Sequence, residues 1–217
     1  MSTEADMIPP PAITISRSLG SGGTEVGLLV ARKLGWQFCD RRILRRTAEA
    51  LGVPVTALAR QEERPSGLLE KFLSMLAFAS PEVPYAPPLE VPVYSAELFE
   101  AEGAVMRRLA DAGPSVLVGR GGFIVLKDRP STFHVRIEAS LDSRIRYLLG
   151  RGKAPDEASA LKAIQDSDRG RAAFFRRVAH VEWGDPANFQ LVLDTGEQDL
   201  EACAGTVVRG ASVFLGR

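Results

Sequence analysis

Three short stretches of this chain carry residues whose types and spacing suit the handling of phosphate. The first is Ser16-Arg-Ser-Leu-Gly-Ser-Gly-Gly-Thr-Glu25. Its glycines let backbone N–H groups turn inward around an anion at the start of a helix, where the dipole also favours negative charge. Measured against GxxxxGK[ST] with Gly23 as the second glycine, Ser18 stands at the first glycine, Thr24 at the lysine and Glu25 at the Ser/Thr, so three of the four defining positions differ. The second is Gly119-Arg120-Gly121-Gly122, a lone guanidinium between glycines. Phosphate or carboxylate is its natural partner, and pairing with a structural acid is the competing reading. The third is the run from Asp166 to Arg177, with Asp168 and Arg171 on one helical face. It reads either as a solvated helix face or as a cationic lid over a polyphosphate.

The first loop has a second reading. Gly20-x-Gly22 opens like a dinucleotide fingerprint, and Asp40 lies where a ribose-binding acid would be, but Glu25 stands where the third glycine belongs. Two histidines, His134 inside an apolar run and His180 near a helix end, offer neither a metal site nor a Ser–His–Asp triad. Cys39 and Cys203 are too few for a disulfide framework or a Cys-based metal site.

The elements that must position these groups alternate. Short apolar strands are expected at Ala12–Ser16, Trp36–Cys39, Ser115–Val118, Thr132–Ile137 and Gln190–Leu193. Between them, helical spacing marks Glu25–Leu34, Arg41–Leu51, a helix from an N-cap at Ser95 to Ala112, then 141–150, 155–180 and Asp199–Leu215. Two short helices are expected over 54–80, and five prolines between Pro81 and Pro92 make an irregular connection. The pattern predicts an α/β fold, a parallel sheet covered on both faces, with ligands beyond the C-terminal strand ends. Residues 1–11, ending in three prolines, read as a flexible or extended arm, and 12–217 as a single domain.

The chain has 217 residues, 45% hydrophobic and 25% charged, enough to bury a real core and too apolar for disorder. No stretch of about 20 apolar residues predicts a membrane span. The N-terminus has no basic or apolar segment of a signal peptide, which makes cytoplasm the expected location. Net charge is zero, from 27 basic and 27 acidic residues, which speaks against nonspecific nucleic-acid or membrane partners. Of the basic residues 22 are Arg and five are Lys, a bias that a G+C-rich genome or phosphate recognition would each explain.

Taken in order, Ile13-Thr-Ile-Ser-Arg17 with Gly20-Ser-Gly-Gly23, Phe38-Cys-Asp40-Arg41, Val118-Gly-Arg-Gly121, Ser143-Arg144, Asp168 with Arg171-Ala-Ala-Phe-Phe175, Trp183-Gly-Asp-Pro186 and Gln190-Leu-Val-Leu-Asp-Thr195 resemble the cytidylate kinase-like family of P-loop nucleoside monophosphate kinases. The resemblance spans roughly 13–208, leaving out the insertion at about 60–95. It implies a three-layer P-loop kinase core with a five-stranded parallel sheet, a helical acceptor-binding lobe and insertion at about 40–112, and a lid at about 150–186. The implied reaction passes the γ-phosphoryl group of ATP, with Mg²⁺, to a nucleoside monophosphate, typically CMP or dCMP. Gly20, Ser21, Gly22 and Gly23, continuing into Thr24 and Glu25, would wrap the donor phosphates. Asp40, Arg41, Arg120, Arg144 and Asp168 would serve the acceptor. Arg17, Arg120 and Arg171 would supply catalytic charge, with Arg17 standing in for the missing lysine. No protein metal ligand is assigned, and a homodimer is left open. Thr24 replaces the P-loop lysine and Gly121 an acid that classical members carry. A nucleotide-binding regulatory module with little catalysis therefore stays as the alternative, and a Rossmann-type oxidoreductase as a more distant one.

Overall fold

The computed structural model describes residues 9–41, 43–44, 96–196 and 198–216. Five strands form one all-parallel sheet in the order β2-β3-β1-β4-β5: β1 Ala12–Arg17, β2 Gln37–Asp40, β3 Ser115–Val118, β4 Thr132–Glu138 and β5 Leu191–Asp194. Around it run α1 Gly23–Leu34, α2 Ala96–Ala112, the one-turn α3 Gly122–Val125, α4 Leu141–Gly150, α5 Glu157–Ala179 and α6 Leu200–Phe214. The expected alternation of apolar strands and amphipathic helices is what the structure shows, with boundaries shifted by one or two residues. Helix α3 has no counterpart in the expectation, because a single turn after a glycine pair leaves no periodicity to read. The insertion and proline-rich connection at 54–92, the cap at Ser95 and most of the helix expected from Arg41 lie outside the described residues.

Strand pleating sorts the core into two faces. Ile13, Ile15, Val116, Val118, Val135 and Ile137 point one way, onto Val26 and Val30 of α1 and onto Cys203 and Val207 of α6. Ala12, Cys39 and Leu117 point the other way, onto Val105, Met106, Leu109 and Ala110 of α2. Each of these helices buries one stripe, which is why the sheet is covered on both sides. The second face also holds polar residues of the central strands. Thr14 and His134, paired across β1 and β4, are hydrogen-bonded Oγ1 to Nδ1 at 2.6 Å. Arg136, two residues on, emerges on the same face beside Ser16.

The chain enters the sheet under restraint. The Pro10 carbonyl accepts from Arg129 Nη1 and from Ser131 Oγ at 3.2 Å, and Pro11 accepts from the Ser115 amide at 3.2 Å. All five strands run in the same direction, so their C-terminal ends set Arg17, Asp40, Gly119-Arg120, Glu138 and Asp194 along one edge.

Candidate nucleotide and phosphate site

Helix α1 begins without a side-chain cap. Its N-cap is Gly22, at φ 69°, and no side chain accepts there. The first helical bond runs from the Val26 amide to the Gly22 carbonyl at 3.0 Å, so the amides of Gly23, Thr24 and Glu25 find no acceptor inside the helix. An anion fits that position electrostatically and by hydrogen bonding. The glycines are demanded by packing as well. A Cβ on Gly20 would lie 2.8 Å from the Arg144 carbonyl, and one on Gly23 would lie 2.6 Å from the Arg17 Cβ. The Ser21 hydroxyl, 2% exposed, donates to Ser18 and Ile137 carbonyls at 3.0 and 3.2 Å. Ser21 therefore anchors the loop to β4, and what it offers a ligand is backbone.

Glu25 does not point into a metal site. Tyr147 Oη donates to Glu25 Oε1, and Lys153 Nζ lies 3.8 Å from the same oxygen. Burial first, and then the bond to Glu25, pushes the Tyr147 phenol above its ordinary range, so it stays a donor. No cluster of three His, Cys, Asp or Glu suited to a metal is present among the described residues. Thr24 is half-buried on the first turn.

Four of the expected arginines converge. Arg17, Arg41, Arg120 and Arg171 line one pocket with Phe99, Phe123, Phe174, Phe175 and Trp183. Arg17 ends β1 and its guanidinium runs to the end of β3, close enough that a Cβ on Gly119 would collide with its Nη1. It bridges the start of α1 and the arginine pocket. Arg41 has a buried Nε without a hydrogen-bond partner among the described residues. Arg120 sits at φ 57° between Gly119 at φ 85° and Gly121 at φ 64°, a left-handed turn that a non-glycine residue adopts only at a cost of about 1–3 kcal/mol. The turn aims the guanidinium inward, where Nη1 meets the fully buried Glu102 of α2. Pairing with an acid and lining of the pocket are both realised in this one side chain.

The remaining expected residues meet elsewhere. Arg144 forms a bidentate bond to Asp168 at 2.8 and 2.9 Å and donates through Nε to the Leu19 carbonyl at 2.6 Å. That clamp ties α4 and α5 to the glycine loop, and neither residue lines the arginine pocket. Asp40 is buried at the end of β2 and accepts from the Ile43 amide at 3.0 Å. Of the run on α5, Lys162, Asp166 and Arg169 form exposed i,i+3 and i,i+4 pairs, a solvated face, whereas Arg171 turns inward and donates to the Arg17 carbonyl at 3.0 Å. Sequence reading missed Glu102, Arg136 and the aromatic ring cluster. Glu102 sits in a stretch that reads only as locally acidic, and its spacing on the same helical stripe as Val105 and Leu109 is the signal that could have shown its burial.

A family model described as the cytidylate kinase-like family matches residues 12–197. The chain belongs to that family. No curated protein matches. Among solved structures, an uncharacterized protein from Eubacterium ventriosum ATCC 27560 is similar at 17% identity, covering 93% of this chain and 98% of that one, with a TM-score of 0.63. A shikimate kinase from Acinetobacter baumannii in complex with shikimate is 16% identical over 96% of this chain and 95% of that one, at TM-score 0.48. A gluconokinase from Sinorhizobium meliloti 1021 is 16% identical over 96% and 93%, at TM-score 0.45. The five-stranded parallel sheet covered by helices agrees with the P-loop kinase core that the cytidylate kinase-like family implies.

Proposed function

We propose that this cytidylate kinase-like protein transfers the γ-phosphoryl group of ATP to a nucleoside monophosphate, with CMP or dCMP as the first acceptors to try. The observation that carries the reading is the joining of an uncapped helix start to a pocket of four arginines and five aromatic rings, with Arg17 spanning the two. Phosphoryl transfer asks for alignment and charge neutralisation more than for covalent chemistry, and these groups suit both.

The amides of Gly23, Thr24 and Glu25 would hold the donor phosphates at the positive end of α1. A second groove beside the loop, between Tyr147 and Arg151 on one side and Gly196 and Gln198 on the other, offers room for the rest of the donor. Arg41 and Arg120 would hold the acceptor phosphate, the former through a buried Nε–H that has no acceptor among the described residues and could donate to a phosphate oxygen. Arg171 and Arg17, which line the same pocket, would meet the charge that develops during transfer. Phe99, Phe174 and Phe175 give a base or sugar an apolar wall. Mg²⁺ would enter with ATP as part of the substrate and spread charge over the bridging phosphates.

A coupled ADP-release assay with MgATP and CMP, dCMP, UMP, AMP or GMP tests the reading. Turnover with one or more of them is expected. ATP binding without turnover on any would favour the regulatory module, which the uncharged Thr24 and the engagement of Glu25 by Tyr147 and Lys153 motivate.

A further inference from the structure

We infer that Trp183 is a positioning residue that aims Arg171 into the arginine pocket, and that Arg136 fixes Trp183 for the task. The inference rests on the kinase reading only for its kinetic test. Its basis is a chain of contacts from the sheet to α5. Arg136, 6% exposed, is braced by Glu138 at 2.9 Å and donates to the Trp183 carbonyl at 3.2 Å. Its guanidinium carbon also lies 4.4 Å from the centre of the Trp183 ring. The same ring lies 5.3 Å from the guanidinium carbon of Arg171. One buried indole, 7% exposed, thus meets two guanidinium groups from different elements.

The chemistry of these contacts differs from that of the Arg144 clamp. A carboxylate bound in bidentate fashion both orients a guanidinium and cancels its charge, as Asp168 does for Arg144. A ring face and a carbonyl oxygen orient a guanidinium without themselves supplying a negative charge. Arg171 lies against the Trp183 ring and donates to the Arg17 carbonyl. Trp183 lines the pocket while its ring is taken up by protein guanidinium groups, which suits a support for a ligand-binding arginine.

The test uses Trp183→Leu, Trp183→Phe and Arg136→Met in the full chain, with melting curves to confirm folding. Trp183→Leu is expected to raise the KM for the acceptor nucleotide about tenfold with the KM for ATP within about twofold, and Trp183→Phe to recover most of the loss. Arg136→Met should follow Trp183→Leu. A folded Trp183→Leu with an unchanged acceptor KM, or with equal losses for acceptor and ATP, would overturn the inference. The fluorescence arm needs no turnover. With Trp36→Phe making Trp183 the sole indole, inorganic pyrophosphate should change its emission, and Arg171→Met should abolish that change. An emission response that survives Arg171→Met, or none at all, counts against the inference. Absence of turnover on every nucleotide would instead sink the kinase reading.

Discussion

Arg120 combines two demands that mutation can separate. Its truncation removes a cationic partner of the fully buried Glu102 of α2, so Arg120→Ala is expected to lower the melting temperature. Adding Glu102→Gln should restore the melting temperature without restoring acceptor affinity. If the double variant regained both, Arg120 would have no ligand role. A companion test concerns Gly119. Its φ of 85° and the Arg17 guanidinium in its Cβ direction leave no room for a methyl group. Gly119→Ala should therefore lower kcat about as much as Arg17→Ala, by roughly 10²–10³ if Arg17 supplies transition-state charge. Near-normal turnover of Arg17→Ala would refute that role. The sequence exposed these arginines because glycines and strand ends flank them. Glu102 was harder to read, because a carboxylate on an apolar stripe makes sense only once its partner Arg120, at the end of β3, is brought against it.

At the scale of elements, the glycine loop is held less by its own turns than by what leans on it. Ser21 fixes it to β4, Thr195 donates to the Ser21 carbonyl at 2.7 Å, and Arg144 fixes Leu19 from α4. The Arg144–Asp168 clamp joins this loop to α5, so a double-mutant cycle on the pair should give a coupling of about 1–3 kcal/mol in urea unfolding. The same cycle read in ATP affinity should show non-additivity, since loss of the clamp frees the loop. Additive behaviour in both readouts would mean that the pair is incidental. The strands and helices around the site were legible because apolar runs of four to seven residues and 3.6-residue spacing survive in the sequence. The Arg144–Asp168 pairing was not. Both residues looked like ligand groups, and only the packing of α4 on α5 brings them face to face. The aromatic cluster of Phe99, Phe123, Phe174 and Phe175, with ring centres 5.2 to 6.2 Å apart, gathers three helices whose adjacency no local pattern announces.

At the scale of the whole molecule, acid stability should be governed in part by a single buried imidazole. Burial lowers the His134 pKa from 6.5 to about 4. In the unfolded chain the ring takes its proton near 6.5, so folding stability is intact above that pH and falls as pH drops toward 4. The loss over that window is about 3 kcal/mol, and below it no further loss comes from this group. Denaturant melts between pH 7 and 4 should show it, and His134→Gln should flatten that limb. An unchanged limb would show that other groups dominate. No helix among the described residues is long and apolar enough to cross a membrane. The place of β1 in the sheet has a consequence for how the chain is made. β1 is the first sheet strand to leave the ribosome, yet both its neighbours, β3 and β4, are synthesised only after the long insertion. The apolar segment Ala12–Ile15 must therefore wait for about 100 further residues to be made before β3 can pair with it. Such delayed non-local pairing slows folding and invites aggregation. Poor yield at fast expression and rescue at low temperature would trace to that waiting strand, and the tethering of Pro10 and Pro11 can take hold only once Ser115, Arg129 and Ser131 have emerged.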